Sequence, residues 1–321
     1  MAKDKIIFLD AGTVDYGDLS LRPIQAVGQL TPFFYTTRAR LIKRCRGAQH
    51  IIVNKCVFDR NVLEQLPGLK SLHVAATGVN NIDLNAARSL GIAVTNVRGY
   101  STESVVQLTI AFILALATQL RELEGRVHRG AWVSSPFFTL APNHIQEVCG
   151  KTLGLIGYGA IGRRVAVVAK ALGMKVLVAK IPGRQYAGQS AAGRVSLNVL
   201  LEKSDYVSIH APLSSLTKDL IGKAQLDKMK KTAFLINMAR GGIVNESALV
   251  EALTKKKIGG AALDVLAKEP PDSQCELLKA PRVLITPHVA WASIEARKKL
   301  VMEIAENIRA FQKGRKRNRI V

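Results

Sequence analysis

Residues 151–172 constrain this chain more than any other stretch. Lys151–Ile156 is an apolar run of strand length. It ends in Gly157-Tyr158-Gly159-Ala160-Ile161-Gly162, and Arg163–Leu172 continues with helical spacing. In such a loop the first glycine allows the tight turn and the second lets the main chain approach a pyrophosphate. The third lets helix and strand pack closely. The helix that follows points unpaired N–H groups and a positive dipole end at an anion. A second strand, Lys175–Ala179, completes a βαβ unit. The spacing therefore predicts a dinucleotide held at Gly157, Gly159 and Gly162.

The rest of the chain repeats the strand–helix alternation on both sides of that unit. Lys5–Leu9, His50–Val53 and Ser71–Val74 each precede turn-like or helical text, which predicts one α/β domain over the first hundred residues. A long helix is expected from about Ser101 to His128, opened by the capping residues of Ser101-Thr102-Glu103-Ser104. An aromatic- and proline-rich loop, Trp132–Pro142, follows. Beyond Ala179, strands are expected at Tyr206–His210, Ala233–Asn237, Gly260–Asp264 and Val283–Thr286, making a doubly wound sheet. A last helix, Ala292–Lys313, lies outside the alternation and is free to return to the first domain. The division is thus residues 1–100 with 292–321, and 101–291.

The chain has 321 residues and a formal charge of +22, which raises the question of nucleic acid. The basic residues are dispersed, with short clusters only at Lys255-Lys256-Lys257 and Lys313-Gly314-Arg315-Lys316-Arg317. No zinc-finger spacing or aromatic RNA-binding motif accompanies them, so a solvated basic surface is expected and no specific nucleic acid. A positive field also draws in small anions. Cys45, Cys56, Cys149 and Cys275 are scattered, without metal or redox spacing; no metal is expected. No apolar run is long enough to span a bilayer, and the N-terminus has no signal-peptide pattern. A cytoplasmic protein with reduced thiols is the simple expectation.

Two landmarks bear on chemistry. About twenty residues past the glycine loop an acid should meet the adenosine ribose hydroxyls. The sequence there is Ala179-Lys180-Ile181-Pro182-Gly183-Arg184. Either Lys180 and Arg184 pair with a 2′-phosphate, giving NADP tolerance, or both are surface cations and NAD binds without the carboxylate. Further on, three successive strands end in Met238-Ala239-Arg240-Gly241-Gly242, in Asp264 leading to Lys268-Glu269-Pro270-Pro271, and in Thr286-Pro287-His288-Val289-Ala290-Trp291. Open α/β sheets place ligands at these ends. Arg240 has the fork a carboxylate needs, and an acid–base residue is required wherever a carbonyl oxygen gains or loses a proton.

On these motifs, with Thr77-Gly78-Val79-Asn80-Asn81-Ile82-Asp83, Gly99-Tyr100-Ser101-Thr102-Glu103-Ser104-Val105 and Gly130-Ala131-Trp132, the chain resembles the D-isomer-specific 2-hydroxyacid dehydrogenases over essentially its whole length, and within them the glycerate dehydrogenases (hydroxypyruvate reductases). The resemblance implies an α/β fold of two doubly wound parallel-sheet domains, one a flavodoxin-like substrate domain and one a Rossmann dinucleotide-binding domain. It implies hydride transfer between NAD or NADP and a small 2-keto or 2-hydroxy acid. His288 would be the proton donor, Glu269 would hydrogen-bond it and favour its protonated form, and Arg240 would hold the substrate carboxylate. Backbone N–H groups of Gly78 and Val79 would hold the same carboxylate. Trp291 would wall the substrate pocket or, alternatively, belong to the core. Thr102, Ala160, Ile161, Pro212, Thr217, Met238 and Asp264 would line the dinucleotide; Asp264 has a second reading as a strand-end residue that bonds nearby backbone. A homodimer through the Ser101–Thr118 helix and the arm after it is also implied. The alternative is a non-catalytic dinucleotide-sensing regulator on the same fold. The departure from the family pattern is Lys180, where an acid is usual.

Overall fold

Strand formation follows the apolar runs wherever both faces of a strand are covered. A computed structural model describes residues 3–140, 145–187 and 193–321; the end of the Trp132–Pro142 loop lies outside them. The chain divides into two compact units, Met1–Ser101 with Trp291–Val321, and Thr102–Ala290.

The first unit holds five parallel strands: β1 (Lys5–Phe8), β2 (Gln29–Pro32), β3 (His50–Val53), β4 (Ser71–Val74) and β5 (Ala93–Thr95). Their order is β2-β1-β3-β4-β5, the flavodoxin-like winding. Every residue of β3 and β4 is buried, as in a parallel sheet covered on both faces; Ile51–Val53 is the apolar run, while His50, Ser71 and His73 are buried polar residues. β2 and β5 are additions to the expected strands. Residues Gln29–Pro32 form an edge with hardly any burial, so they carry no periodic signal, and an edge tolerates Pro32. β5 has three residues, too few for a period.

The last helix, Ile294–Gln312, does return to this unit. The Ser293 hydroxyl accepts the Ala296 N–H at its start. Leu300, Val301, Ile304 and Ile308 are buried with Ile6, Phe8 and Ile52, each such side chain contributing about 1.5–3 kcal/mol. Arg297, 4% exposed, grips Asp18 with both guanidinium nitrogens at 2.6 and 2.7 Å.

Polar side chains run across the sheet of this unit in an unbroken row. His50 Nε2 lies 3.2 Å from Asp4 Oδ2. Its Nδ1 lies 2.7 Å from Ser71 Oγ, Ser71 Oγ lies 2.8 Å from His73 Nε2, and His73 Nδ1 lies 2.8 Å from Thr95 Oγ1. Asp4 accepts only, so His50 Nε2 carries a proton. Ser71 therefore donates to His50 Nδ1 and accepts from His73 Nε2, and Thr95 donates to His73 Nδ1. Both rings are neutral in this arrangement. Burial holds His73 at about 3 and lowers His50 as well.

The second unit holds seven strands: β6 (Thr152–Ile156), β7 (Lys175–Ala179), β8 (Arg194–Val195), β9 (Tyr206–Ile209), β10 (Phe234–Asn237), β11 (Gly260–Leu263) and β12 (Val283–Ile285). All pairs are parallel, in the order β12-β11-β10-β9-β6-β7-β8. The order reverses between β6 and β9, the switch point at which doubly wound sheets bind ligands.

The expected single helix over 101–128 is two, Thr102–Thr118 and Leu120–His128, bent by 61°. Gln119 between them adopts a left-handed φ of 52°. The Thr118 hydroxyl donates back to Leu114 O, a bond that competes with helical continuation, and the second helix buries no residue that would hold it in line. No single described helix is long and apolar enough to cross a membrane. Ser101 and Trp291, expected with the dinucleotide unit, fall in the first unit; the Trp291 ring meets Tyr100 edge-on, centroids 6.3 Å apart.

Candidate active site at the strand ends of the second unit

The glycine loop has the geometry its spacing demands. Gly157 has a φ of 101°, and a Cβ there would sit 2.5 Å from Ala211 N. A Cβ on Gly162 would sit 2.2 Å from Gly157 O. The third glycine thus lets the helix Ala160–Ala171 begin directly on the strand end, three residues earlier than the expected Arg163. At Gly159, the N-cap, nothing lies within 4 Å of a Cβ, so the first turn, Ala160 and Ile161, opens outward. The buried side of the helix, Gly162, Val165, Ala166 and Ala169, packs on Leu153 and Leu155.

Beside this loop, His210 follows β9. Its Nε2 bonds Ser208 Oγ at 2.9 Å. Its Nδ1 is buried and finds no partner among the described residues, and desolvation holds the ring at about 4. The glycine cradle, open at Gly159, fits a polar ligand laid across the switch point. His210 escaped the sequence reading because its parity with Ser208 marks it only as one more strand residue.

Next to the cradle, a cavity of about 230 Å³ is lined by Ile181, Arg184, Pro212, Ser214, Leu216 and Thr217. It brings together three of the expected cofactor residues, Arg184, Pro212 and Thr217. Thr217 contributes shape more than polarity, since its hydroxyl donates to Pro212 O at 2.6 Å and accepts from Ser214 N at 2.8 Å. Lys180 is exposed and its N–H bonds Val195 O. Met238 is 6% exposed and packed in the core beneath the sheet end. Thr102 opens its helix.

Arg240, Glu269 and His288 stand past the ends of β10, β11 and β12, three neighbouring strands. Asn237, which sequence reasoning passed over, shapes the first turn: its Nδ2 donates to Arg240 O at 2.8 Å and its Oδ1 accepts the Ala239 N–H at 3.1 Å. A Cβ on Gly241 would lie 2.1 Å from Leu266 O. The Arg240 turn is therefore pressed directly on the segment that carries Glu269. Arg240 itself is exposed.

Glu269 is fixed at one oxygen, where Oε1 accepts the Leu266 N–H at 2.9 Å. Its other oxygen, Oε2, lies 2.6 Å from His288 Nδ1, a charge-assisted length. His288 is in the left-handed region, φ 55°, a conformation that a non-glycine residue keeps only when its surroundings hold it there. Asp264 supplies the hold. Its Oδ1 accepts from Thr286 Oγ1 at 2.6 Å and from Val289 N at 2.8 Å, its Oδ2 accepts from Ala290 N at 2.9 Å, and its carbonyl accepts the His288 N–H. The carboxyl is 2% exposed, and that burial raises its pKa despite the three donors. These are the bonds of a strand-end residue that holds nearby backbone.

Gly78 and Val79 lie in the first unit, in the loop after β4, where Val79 O accepts the Ile82 N–H. Trp291, half-buried, packs against the core of that unit.

A family model described as "D-isomer specific 2-hydroxyacid dehydrogenase, NAD binding domain" matches residues 110–290. The chain is 39% identical to a glycerate dehydrogenase of Methylorubrum extorquens over 98% of both chains. It is 35% identical to a hydroxypyruvate reductase of Blautia hydrogenotrophica over 97% of both. A crystal structure of D-lactate dehydrogenase with NAD+ from Lactobacillus jensenii superposes with a TM-score of 0.81, at 27% identity over 99% of each chain.

Proposed function

The chain belongs to the D-isomer specific 2-hydroxyacid dehydrogenase family, and we propose that it interconverts a small 2-keto acid, hydroxypyruvate or glyoxylate, with the corresponding D-2-hydroxy acid. The observation that carries this reading is the 2.6 Å contact between His288 Nδ1 and Glu269, on strand ends adjoining the one that presents Arg240. A nicotinamide dinucleotide, NAD or NADP, supplies or accepts the hydride when bound. Gly157, Gly159, Ala160, Ile161 and Gly162 hold its phosphates, and the cavity by Pro212 and Thr217 takes its adenosine side.

The chain's own part is binding and proton transfer. The Arg240 fork pairs with the substrate carboxylate and polarises the carbonyl oxygen. Because Glu269 occupies Nδ1, Nε2 of His288 is the nitrogen that gives a proton to that oxygen during reduction and takes it back during oxidation. Glu269, locked by Leu266, keeps the ring oriented. Gly78, Val79 and Trp291 keep, as proposals, the substrate-binding roles that the family resemblance assigns them. Thr102, Met238 and Asp264 keep their cofactor-lining roles on the same footing.

A homodimer is part of the proposal. Trp132, Val133, Phe137 and Phe138 on the arm after the second helix are 51–93% exposed, more apolar surface than a monomer usually shows in one place. Sedimentation velocity is expected to return twice the 34.8 kDa chain mass; a monomer at micromolar concentration defeats this element. Four free cysteines suit a reducing compartment, the cytoplasm.

The test is a matrix of NADH and NADPH against a panel of 2-keto acids, followed by nicotinamide absorbance. Turnover of hydroxypyruvate or glyoxylate is expected. No turnover with any small 2-keto acid overturns the reading.

A further inference from the structure

The end of β7 is where this chain departs from its family, and the departure has a structural counterpart on the neighbouring strand. The two-residue β8 pairs with β7 through Val178–Arg194 and Ala179–Val195. This places Arg194 beside the position where a ribose-binding acid would stand. Its Nη1 donates to Ala179 O at 3.1 Å. The guanidinium lies 4.7 Å from the centre of the Tyr186 ring and 5.8 Å from that of Tyr158. Tyr158 is the second residue of the glycine loop. Tyr186 is tied down by its hydroxyl, which accepts the Ile181 N–H at 3.0 Å. Arg194 therefore spans the gap between the phosphate cradle and the end of β7.

Two more cations share the same rings. Arg184 lies 5.4 Å from the Tyr186 ring, and Arg163 lies 5.8 Å from the Tyr158 ring while its Nε donates to Tyr158 O. The ion pairs among the described residues include neither of these two arginines, nor Lys180. Three guanidiniums around two tyrosines gather positive charge there. A dianion set among them is favoured, and guanidinium is the side chain best shaped for phosphate. The glycine loop provides for the pyrophosphate through backbone N–H groups on β6, whereas Arg194 stands on the far side of β7, on the ribose side.

We propose that Arg194, assisted by Arg184 and Arg163, is the specificity-determining residue for a phosphate monoester on the 2′-oxygen of the adenosine ribose, and that the chain accordingly prefers NADPH to NADH. This rests on the dinucleotide reading of the glycine loop but not on the keto-acid chemistry. Lys180, the only cation at the usual acid position, is then an accessory and not the anchor.

Binding of adenosine fragments tests this without turnover. The +22 charge attracts any anion, so the control must match charge: 2′,5′-ADP is compared with 3′,5′-ADP by titration calorimetry. The purified protein is expected to bind the 2′-isomer at least tenfold more tightly. Arg194→Gln should abolish that preference, and so should Arg194→Met, which keeps the packing of the stem and serves if the glutamine variant does not fold. Equal affinities in the unaltered protein, or a preference that survives both substitutions, overturn the proposal. If neither NADH nor NADPH binds, the dinucleotide reading falls with it. If NADH binds but the isomers are not distinguished, only this proposal falls. Failure to turn over keto acids, with the isomer preference intact, removes the proposed chemistry alone.

Discussion

Histidine is used in opposite ways in the two units. In the first, His50 and His73 are threaded into a row of fixed donors and acceptors beneath the last helix, fully buried and neutral. In the second, His288 sits at a strand end, a quarter exposed, beside the Glu269 carboxylate. The first arrangement loses stability if a proton is added. The second, in the proposed reaction, gives up and regains one. A carboxylate partner does not separate the two, since His50 faces Asp4; what separates them is whether solvent or substrate reaches the ring.

The largest effect that would break this contrast is on turnover. His288→Ala should lower kcat for a 2-keto acid by about 10²–10⁴, or about 3–5 kcal/mol of barrier, with the melting temperature little changed. Wild-type rates in that variant would show that the proton comes from elsewhere.

Next comes stability. His73→Leu strands the Thr95 hydroxyl in the interior and leaves Ser71 bonded to His50 alone, and should cost about 1–3 kcal/mol in denaturant unfolding, while the substrate KM stays near wild type. The buried histidines of both units predict the pH response. His73 at about 3, His210 at about 4 and the lowered His50 bind protons less readily than the unfolded chain, where histidine titrates near 6.5. Stability present above pH 6.5 is therefore lost as pH falls towards 3, each such group adding a slope of up to about 1.4 kcal/mol per pH unit. Calorimetric melting between pH 7 and 4 should show the decline, and a shallower one in His73→Leu. A flat profile in the wild type would remove the buried half of the comparison.

The smallest expected effect concerns the substrate clamp. Arg240→Lys keeps the charge but loses the fork, and should raise the KM for the keto acid about tenfold, near 1.4 kcal/mol, more than it changes kcat. An unchanged KM would mean that the carboxylate is held by other groups.

Much of the second unit was legible because its elements declare themselves locally. Gly157 and Gly162 are required by contacts of 2.5 and 2.2 Å that any side chain would violate. Arg240, Glu269 and His288 follow strands in a sheet whose ligand edge is known from winding alone. The elements that were not legible are the short or exposed ones. β2 buries almost nothing, β5 has three residues and β8 two, so none has room for a periodic signal. The break at Gln119 was hidden because both flanking stretches are good helix text, and it lies in a left-handed residue that composition does not mark. His210, Asn237 and Arg194 were missed for a related reason: each acts through a neighbour brought in by the fold, the glycine loop, the Arg240 turn and the end of β7 respectively.

The sequence by itself determined the two parallel sheets, the glycine cradle, and the placement of Arg240, Glu269 and His288 on adjacent strand ends, because periodicity, glycine sterics and strand order are local or topological quantities. Only the tertiary structure decided which backbone groups Asp264 bonds, which ring Trp291 meets, which nitrogen of His288 faces Glu269, and which arginine stands at the end of β7. These are questions of where a side chain's partner lies in space, and the partners here come from 15 residues away for Arg194 and 25 for Asp264. No spacing rule reaches across that distance; a hydrogen bond, with its range of about 3 Å, exists only once the chain has folded.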